Sequence, residues 1–386
     1  MQTKIIFHID LDSFFVAVER LLNPALVGKK VAVGGSAGVG VISSASYEAR
    51  KSGVRSAMPV STAKRICPDL IIVPHHFKEY SEASKKIFGI LRDFSPIIEA
   101  VSIDEGYLDM TGTEGLWGSA TEAATKIRKR IQDETGLTAS IGIGSNRLIA
   151  KVATDQCKPN GMLQIQPGRE KDFLAPLPVK VLPGVGPQLE KILHSRAWFR
   201  ISDLHRVSEE FLERETGGMG RYLKRASEGL GSIQFHRRSK RPSISRETTF
   251  SKNCFDAGLL ERTIREFVQE LCEELRQEEQ LGVTLKLKLR FPDFTTLSRS
   301  RTFPFSTRNE SFLVAEALQL FYQAWDGEQP IRLIGIGLAL GEENVQTNLF
   351  DPDRPELGDP RKEKLSQLRD QVKSKFGKPL LKLGSE

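Results

Sequence analysis

Apolar and polar positions alternate along this chain in two rhythms, and the change from one to the other marks its elements. KIIFHI, residues 4–9, is a short apolar run ending on Asp10, which predicts a buried strand capped by an acid. Residues 12–22 carry helical spacing, and residues 28–46, rich in small and β-branched residues, predict short strands and tight loops. Tyr47 to Gly53 reads as a helix stopped by a glycine, and Pro59 opens another that closes near Cys67-Pro68. Residues 78–93 place Tyr80, Ala83, Ile87, Ile90 and Leu91 on one helical face. Residues 98–110 predict two strands around a turn, 121–135 a helix with Ile127 and Ile131 inward, 138–144 a strand and 146–157 a helix. Residues 1–10 and 75–165 thus form a β/α set with acids at strand ends, and residues 11–74 a smaller insertion into it.

From residue 166 the pattern changes to short helices with glycine turns. Residues 221–246 hold eight Lys or Arg against one acid, Glu228, and the proline-broken core RRSKRPS predicts a linker. Residues 256–280 predict a long amphipathic helix with Leu260, Ile264, Phe267, Leu271 and Leu275 inward. Residues 283–291 alternate strictly: odd positions face a core, and Thr284, Lys286, Lys288 and Arg290 face outward. A helix at 310–324 and a strand at 331–340 complete an α+β unit. The last 45 residues read as largely disordered, apart from a short helical stripe of Leu365, Leu368, Val372 and Phe376. There is no internal repeat.

At 386 residues, about two to four domains are expected. The net charge of +7 suits an anionic partner such as nucleic acid without requiring one. Cys67, Cys157, Cys254 and Cys272 lack CxxC spacing, which argues against a zinc site or disulfide framework and fits a reducing cytoplasm. The acids within MQTKIIFHIDLDSFF do not suit a signal peptide, and no apolar run is long enough for a membrane span.

The sharpest chemical signal is acidic: Asp10 at a strand end, and Asp104-Glu105 in VSIDEGYLD. A lone Asp at a strand end is ordinarily a turn or cap residue. These acids interrupt apolar strands, where unpaired charge is costly. Two-metal phosphoryl transfer needs carboxylates that hold two divalent cations about 3.5–4 Å apart. Asp12 reads as structural, and Asp109 lies past the turn.

FHIDLDSFFVAVE, VISSASYEARKSGVRSAMP, VSIDEGYLD, SIGIGSNRLIAKVA and CKPNG resemble, in order, the signature motifs of the Y-family, lesion-bypass DNA polymerases, and within them the bacterial DinB branch. With the later segments the resemblance covers about residues 1–340. It implies an α+β multidomain right hand: palm at 1–10 and 75–165, fingers at 11–74, a helical thumb with a helix–hairpin–helix turn at 166–232, a basic linker at 233–242, an α+β little finger at 243–341 and a tail at 342–386. It implies Asp10, Asp104 and Glu105 as ligands of two Mg²⁺ ions, with Mn²⁺ as a substitute and the Leu11 backbone carbonyl assisting. The implied activity is template-directed addition of deoxynucleotides to a primer 3′-end. It would be inaccurate, lack proofreading and serve tolerance of DNA damage. Primer–template DNA and dNTPs are the implied partners of a cytoplasmic monomer.

Tyr47 and Arg50 share a helical face. With Ser44 and Lys158 they resemble the family's triphosphate-binding set; Arg offers phosphate a planar fork of donors and Lys a point charge. Phe14 and Phe15 adjoin this nucleotide set. Phe14 reads as core, whereas Phe15 falls where the family carries its steric gate, a ring under the sugar that excludes a 2′-hydroxyl. GGSAGVG, residues 34–40, matches no phosphate-loop pattern and reads as a flexible turn.

Leu182-Pro-Gly-Val-Gly186 is either a plain turn or a hairpin in which Gly184 and Gly186 open backbone N–H groups to a DNA phosphate. Lys286, Lys288 and Arg290, with Arg299 and Arg301 in TLSRSRTFP and Arg238 and Lys240 in the linker, are the further candidate DNA contacts. Gln346-Thr-Asn-Leu349-Phe350 resembles the short peptide that bacterial replication proteins insert into a sliding clamp, although 36 residues follow it. Two other classes share part of this pattern. A palm-fold nucleotide cyclase needs no thumb, linker or basic strand, and a non-catalytic DNA-binding accessory does not need the three acids together.

Overall fold

The computed structural model describes residues 3–35, 40–235 and 241–341, together with residues 364, 368–370, 372 and 375. The chain divides into two compact units, Met1–Arg238 and Ser239–Glu386.

The first unit is built on β1 (Ile6–Leu11), an apolar strand whose six residues are all buried. Next come α1 (Phe14–Leu22), β2 (Val31–Gly34), β3 (Ile42–Ala45), α2 (Tyr47–Lys51), α3 (Val60–Ile66) and β4 (Ile71–Val73). Then follow α4 (Phe77–Phe94), β5 (Ile98–Ala100), β6 (Glu105–Asp109), α5 (Glu114–Trp117), α6 (Ala120–Thr135), β7 (Ala139–Gly144), α7 (Arg147–Cys157) and β8 (Met162–Gln164). The main sheet runs β5-β6-β1-β7-β8, with β1 antiparallel to both β6 and β7. Strand side chains alternate between faces. Phe7, Ile9 and Leu11 therefore join Ile87, Leu91, Ile127 and Ile131 of α4 and α6, while Ile6 on the other face meets Ala150 of α7. α6 is fixed at both ends: Ser119 and Glu122 form a capping box, and Gly136 closes the helix at φ 71°.

The insertion forms a three-stranded sheet, β3-β2-β4, over its own small core. Phe14, Val16 and Val18 of α1, however, pack into the core of the main sheet. α8 (Glu170–Leu174), α9 (Pro187–Ser195), α10 (Glu209–Thr216) and α11 (Gly220–Ser227) follow, with Leu174, Leu193, Leu212 and Leu223 packed around Ile149 and Val152 of α7.

The second unit comprises β9 (Ser243–Cys254), α12 (Ala257–Gln277), β10 (Leu281–Arg290), β11 (Thr296–Thr307), α13 (Glu310–Ala324) and β12 (Ile331–Gly341). Its antiparallel sheet runs β11-β10-β12-β9. Leu285, Leu287 and Leu289 pack with Leu260, Ile264, Leu271 and Leu275 of α12. β9 and β11 are not apparent in the periodicity: they are edge strands, and each fully buries only two of its twelve residues. The described tail positions are helical. There Arg369 forms a forked pair with Glu310, and Asp370 accepts Arg276 Nε at 2.6 Å. Among the described residues no helix is long and apolar enough to cross a membrane.

Candidate active site

Antiparallel pairing sets Asp10 directly opposite Glu105, so the two carboxylates share a sheet face. Asp104 is fixed one residue earlier by a tight turn. The Ser102 hydroxyl accepts the backbone N–H groups of Asp104 and Glu105 at 3.2 and 3.0 Å and donates to the Asp104 carboxylate. The Leu11 N–H donates to the Asp104 carbonyl at 3.0 Å and ties the turn to β1. Asp10 and Glu105 therefore stand side by side, and Asp104, its carboxylate bonded to Ser102, adjoins them at the strand end.

Two ammonium groups are seated among them. Lys158 Nζ lies 2.6 Å from Asp10 Oδ2, and Lys151 Nζ lies 2.6 Å from Glu105 Oε2 and 3.6 Å from Asp10. Asp155 faces both lysines, at 3.2 and 3.8 Å. Burial pushes the Asp10 carboxyl up, against the pull of Lys158 and Lys151. The His8 ring, and Lys151 against the cost of burial, hold Glu105 down to about 2. Burial lowers the pKa of His8 itself. Its Nδ1 is 2.9 Å from Thr154 Oγ1, and its buried Nε2 faces Glu105 at 3.5 Å.

Lys151, Asp155 and His8 do not stand out in the sequence. The spacing of Lys151, Asp155 and Lys158 by four and three residues marks one helical face and is the available signal. His8 sits inside an apolar run and gives none. Among the described residues no three His, Cys, Asp or Glu side chains close on one point as a cation cage, and the Lys151 and Lys158 ammonium groups sit among the acids. Those groups are stand-in cations. Carboxylate oxygens already arranged around positive charge fit a hard divalent ion.

Of the nucleotide candidates, Ser44 is buried, and Tyr47 and Arg50 share α2, the guanidinium lying 4.9 Å from the ring centre. Arg50 Nε donates to the Ala45 carbonyl at 2.9 Å. The Tyr47 hydroxyl is buried without a hydrogen-bond partner among the described residues, and burial, reinforced by Asp12, pushes it up to about 12. Lys158 is drawn to Asp10. Phe14, 2% exposed, packs into the core and has no ring surface to offer a nucleotide. Phe15 is half-buried and stacks on Tyr80. Asp109 lies four residues along β6 and pairs with Lys4 at 2.7 Å, a structural contact.

The Leu182–Gly186 turn leads into α9, with Gly186 at its N-cap. Gly184 has φ +88°, where an L side chain is strained, and a side chain at Gly186 would enter open space. In the second unit, Lys286 and Lys288 stand over a floor of small residues: Ser300 and Ser298 on one side, Gly337 and Gly335 on the other. Lys288 is paired with Glu247 at 2.8 Å. The grouping of Arg299 and Arg301 with this face is corrected by the register. They lie opposite Leu287 and Leu285, on the helix side, where Arg301 pairs with Glu316 of α13. Arg238, Lys240, Gln346, Leu349 and Phe350 lie outside the described residues.

The impB/mucB/samB family model matches residues 9–155, and the model of that family's C-terminal domain matches residues 241–349. A DNA polymerase IV of Dehalococcoides mccartyi (strain CBDB1) is 38% identical over 98% of this chain and 96% of its own. The chain belongs to the Y family of DNA polymerases. DNA polymerase IV 1 of Bacillus subtilis (strain 168) is 35% identical over 100% of this chain and 93% of its own. Among solved structures, a Y-family DNA polymerase chimera, Dbh-Dpo4(243-245)-Dbh, is 28% identical with a TM-score of 0.77. It is covered over its whole length by 89% of this chain. An insertion ternary complex of Dbh DNA polymerase matches with a TM-score of 0.64 at 28% identity, over 87% of this chain and 98% of its own. The Y-family polymerase described here is thus a metal-dependent, DNA-directed DNA polymerase of the translesion class. Its fold is the right hand with an added little finger.

Proposed function

We propose that Asp10, Asp104 and Glu105, with the Leu11 carbonyl, hold two Mg²⁺ ions for which Mn²⁺ can substitute, and that dNTPs are joined here to a primer on template DNA. The observation that carries this reading is the Asp10–Glu105 register with ammonium groups seated at 2.6 Å on both carboxylates. When bound, the cations would supply the charge that activates the primer 3′-hydroxyl and neutralises the leaving pyrophosphate. The protein's own residues do the positioning. Tyr47, Arg50 and Lys158 take the triphosphate, Ser44 lines it, and Phe15 lies under the sugar. The Gly184–Gly186 turn and the Lys286, Lys288 and Arg290 face grip DNA phosphates.

The parts follow the Y-family hand, with palm at 1–10 and 75–165, fingers at 11–74, thumb at 166–232 and little finger at 243–341. The enzyme works as a cytoplasmic monomer and docks on a sliding clamp through Gln346, Leu349 and Phe350. Primer extension with each dNTP tests this reading. Template-matched extension that stops with a chelator and returns with Mg²⁺ is expected; extension indifferent to chelation would overturn it.

A further inference from the structure

One buried carboxylate has no part in that scheme. Glu19 lies on α1 one turn after Phe15 and is 3% exposed. Its Oε1 accepts His76 Nδ1 at 2.8 Å and the Tyr80 hydroxyl. Tyr80 is fully buried, and its ring stacks on Phe15 with centroids 4.4 Å apart and planes 18° apart. Phe77 meets both rings edge-on, at 6.4 and 5.9 Å. The start of α4 thus presents His76, Phe77 and Tyr80 to Phe15 and Glu19 of α1.

Tyr80 is the bridge. Its face carries Phe15, and its hydroxyl ends on Glu19. Stacked rings slide over one another at little cost, whereas a hydroxyl bonded to a buried carboxylate is held by a directional, charge-assisted bond. Burying a carboxylate is unfavourable unless donors satisfy it, and an apolar side chain at this position would fill the core as well. Charge at position 19 therefore has a use beyond packing. We propose that Glu19 is a positioning residue for sugar selection: through Tyr80 it fixes the height of the Phe15 ring beneath the incoming nucleotide. The proposal rests on the reading of Phe15 as the steric gate.

The test compares kcat/KM for a dNTP and for the matching ribonucleotide on one template, in the full-length wild type and four variants. Phe15→Ala reports the gate. Glu19→Leu removes the anchor, Tyr80→Phe removes one oxygen and keeps the ring, and Glu19→Gln keeps an acceptor. Glu19→Leu and Tyr80→Phe are expected to lower discrimination about tenfold, the equivalent of one hydrogen bond to a charged group. They should do so by raising ribonucleotide use, while kcat/KM for the dNTP moves little. Glu19→Gln should keep discrimination near the wild-type ratio. If Phe15→Ala loses discrimination but Glu19→Leu and Tyr80→Phe keep it, Glu19 does not position the gate. An equal fall for both sugars likewise overturns the proposal, since it marks a purely structural role. If Phe15→Ala itself keeps full discrimination, the gate reading is what fails. Should Glu19→Leu not fold, Tyr80→Phe alone decides: unchanged discrimination there overturns the proposal.

Discussion

The carboxylate of Asp12 accepts the backbone N–H of Asn160 at 2.9 Å, across 148 residues of chain. Its other oxygen accepts the Ser140 hydroxyl at 2.8 Å, and Arg128 holds the Asn160 side chain at 2.6 Å. The second acid of the DLD run is therefore a buried strut beneath the loop that carries Lys158. Asp12→Asn turns an amide donor toward one of two existing donors and should loosen that loop. The expected result is a KM for dNTP raised about tenfold, the scale of one hydrogen bond to a charged group, with the dependence on metal concentration unchanged. Single-nucleotide insertion kinetics over a range of dNTP and metal measure both.

Asp104→Asn should lose extension by about a hundredfold or more, since metal-held charge contributes several kcal/mol to such transition states, while binding of primer–template DNA is retained. Asp109 is the internal control. It ends β6, the strand that Asp104 precedes, but pairs with Lys4, so Asp109→Asn should extend primers normally. Comparable extension by both variants would remove Asp104 from the metal site.

Lys286→Ala, Lys288→Ala and Arg290→Ala combined should weaken DNA binding equally on all sequences. For every phosphate these side chains neutralise, their removal should flatten the slope of log affinity against log salt by about 1. Arg301→Ala should leave the slope as it is, because that guanidinium is turned to Glu316 on the helix side. Titrations of duplex binding at several salt concentrations separate the two faces.

Leu349→Ala with Phe350→Ala should leave distributive synthesis on a short primer intact and abolish stimulation by a loaded clamp. Apolar anchors dominate peptide docking, and tethering to a clamp raises the local concentration at the primer end. Product lengths with and without clamp report it, and full stimulation of the double variant would exclude this peptide.

What can be read from the chain alone follows from which physical rule is local. Asp10 is legible because, with Asp104 and Glu105, it interrupts apolar strands where unpaired charge is costly, and residues 283–291 because every second side chain meets a core. Their observed positions, with Asp10 opposite Glu105 and Leu285, Leu287 and Leu289 buried, follow the same rule. Arg299 and Arg301 are misplaced by sequence reasoning because the face of an edge strand is set by its pairing register, which no single segment encodes. β9 escapes for a related reason: its burial alternates from Ser243 to Ser251, but the inward positions include Arg246 and Thr248, so no apolar–polar rhythm marks it. His8 looks like one more core position until the fold sets it beside Glu105 and Thr154.

The core of the second unit, around Leu260, Ile264, Leu271 and Leu287, is separate from those of the first, among them the one around Phe7, Ile9 and Leu91. Since each core closes within its own unit, each unit is expected to melt cooperatively by itself. Heating should then give two transitions rather than one, and a single midpoint for the whole enzyme is not a defined quantity. A substitution at Asp12 or Glu19 should displace only the transition of the first unit, and one at Arg301 only that of the second. The basic face of β10 and the acids around Asp10 can thus be destabilised, or stabilised, one at a time.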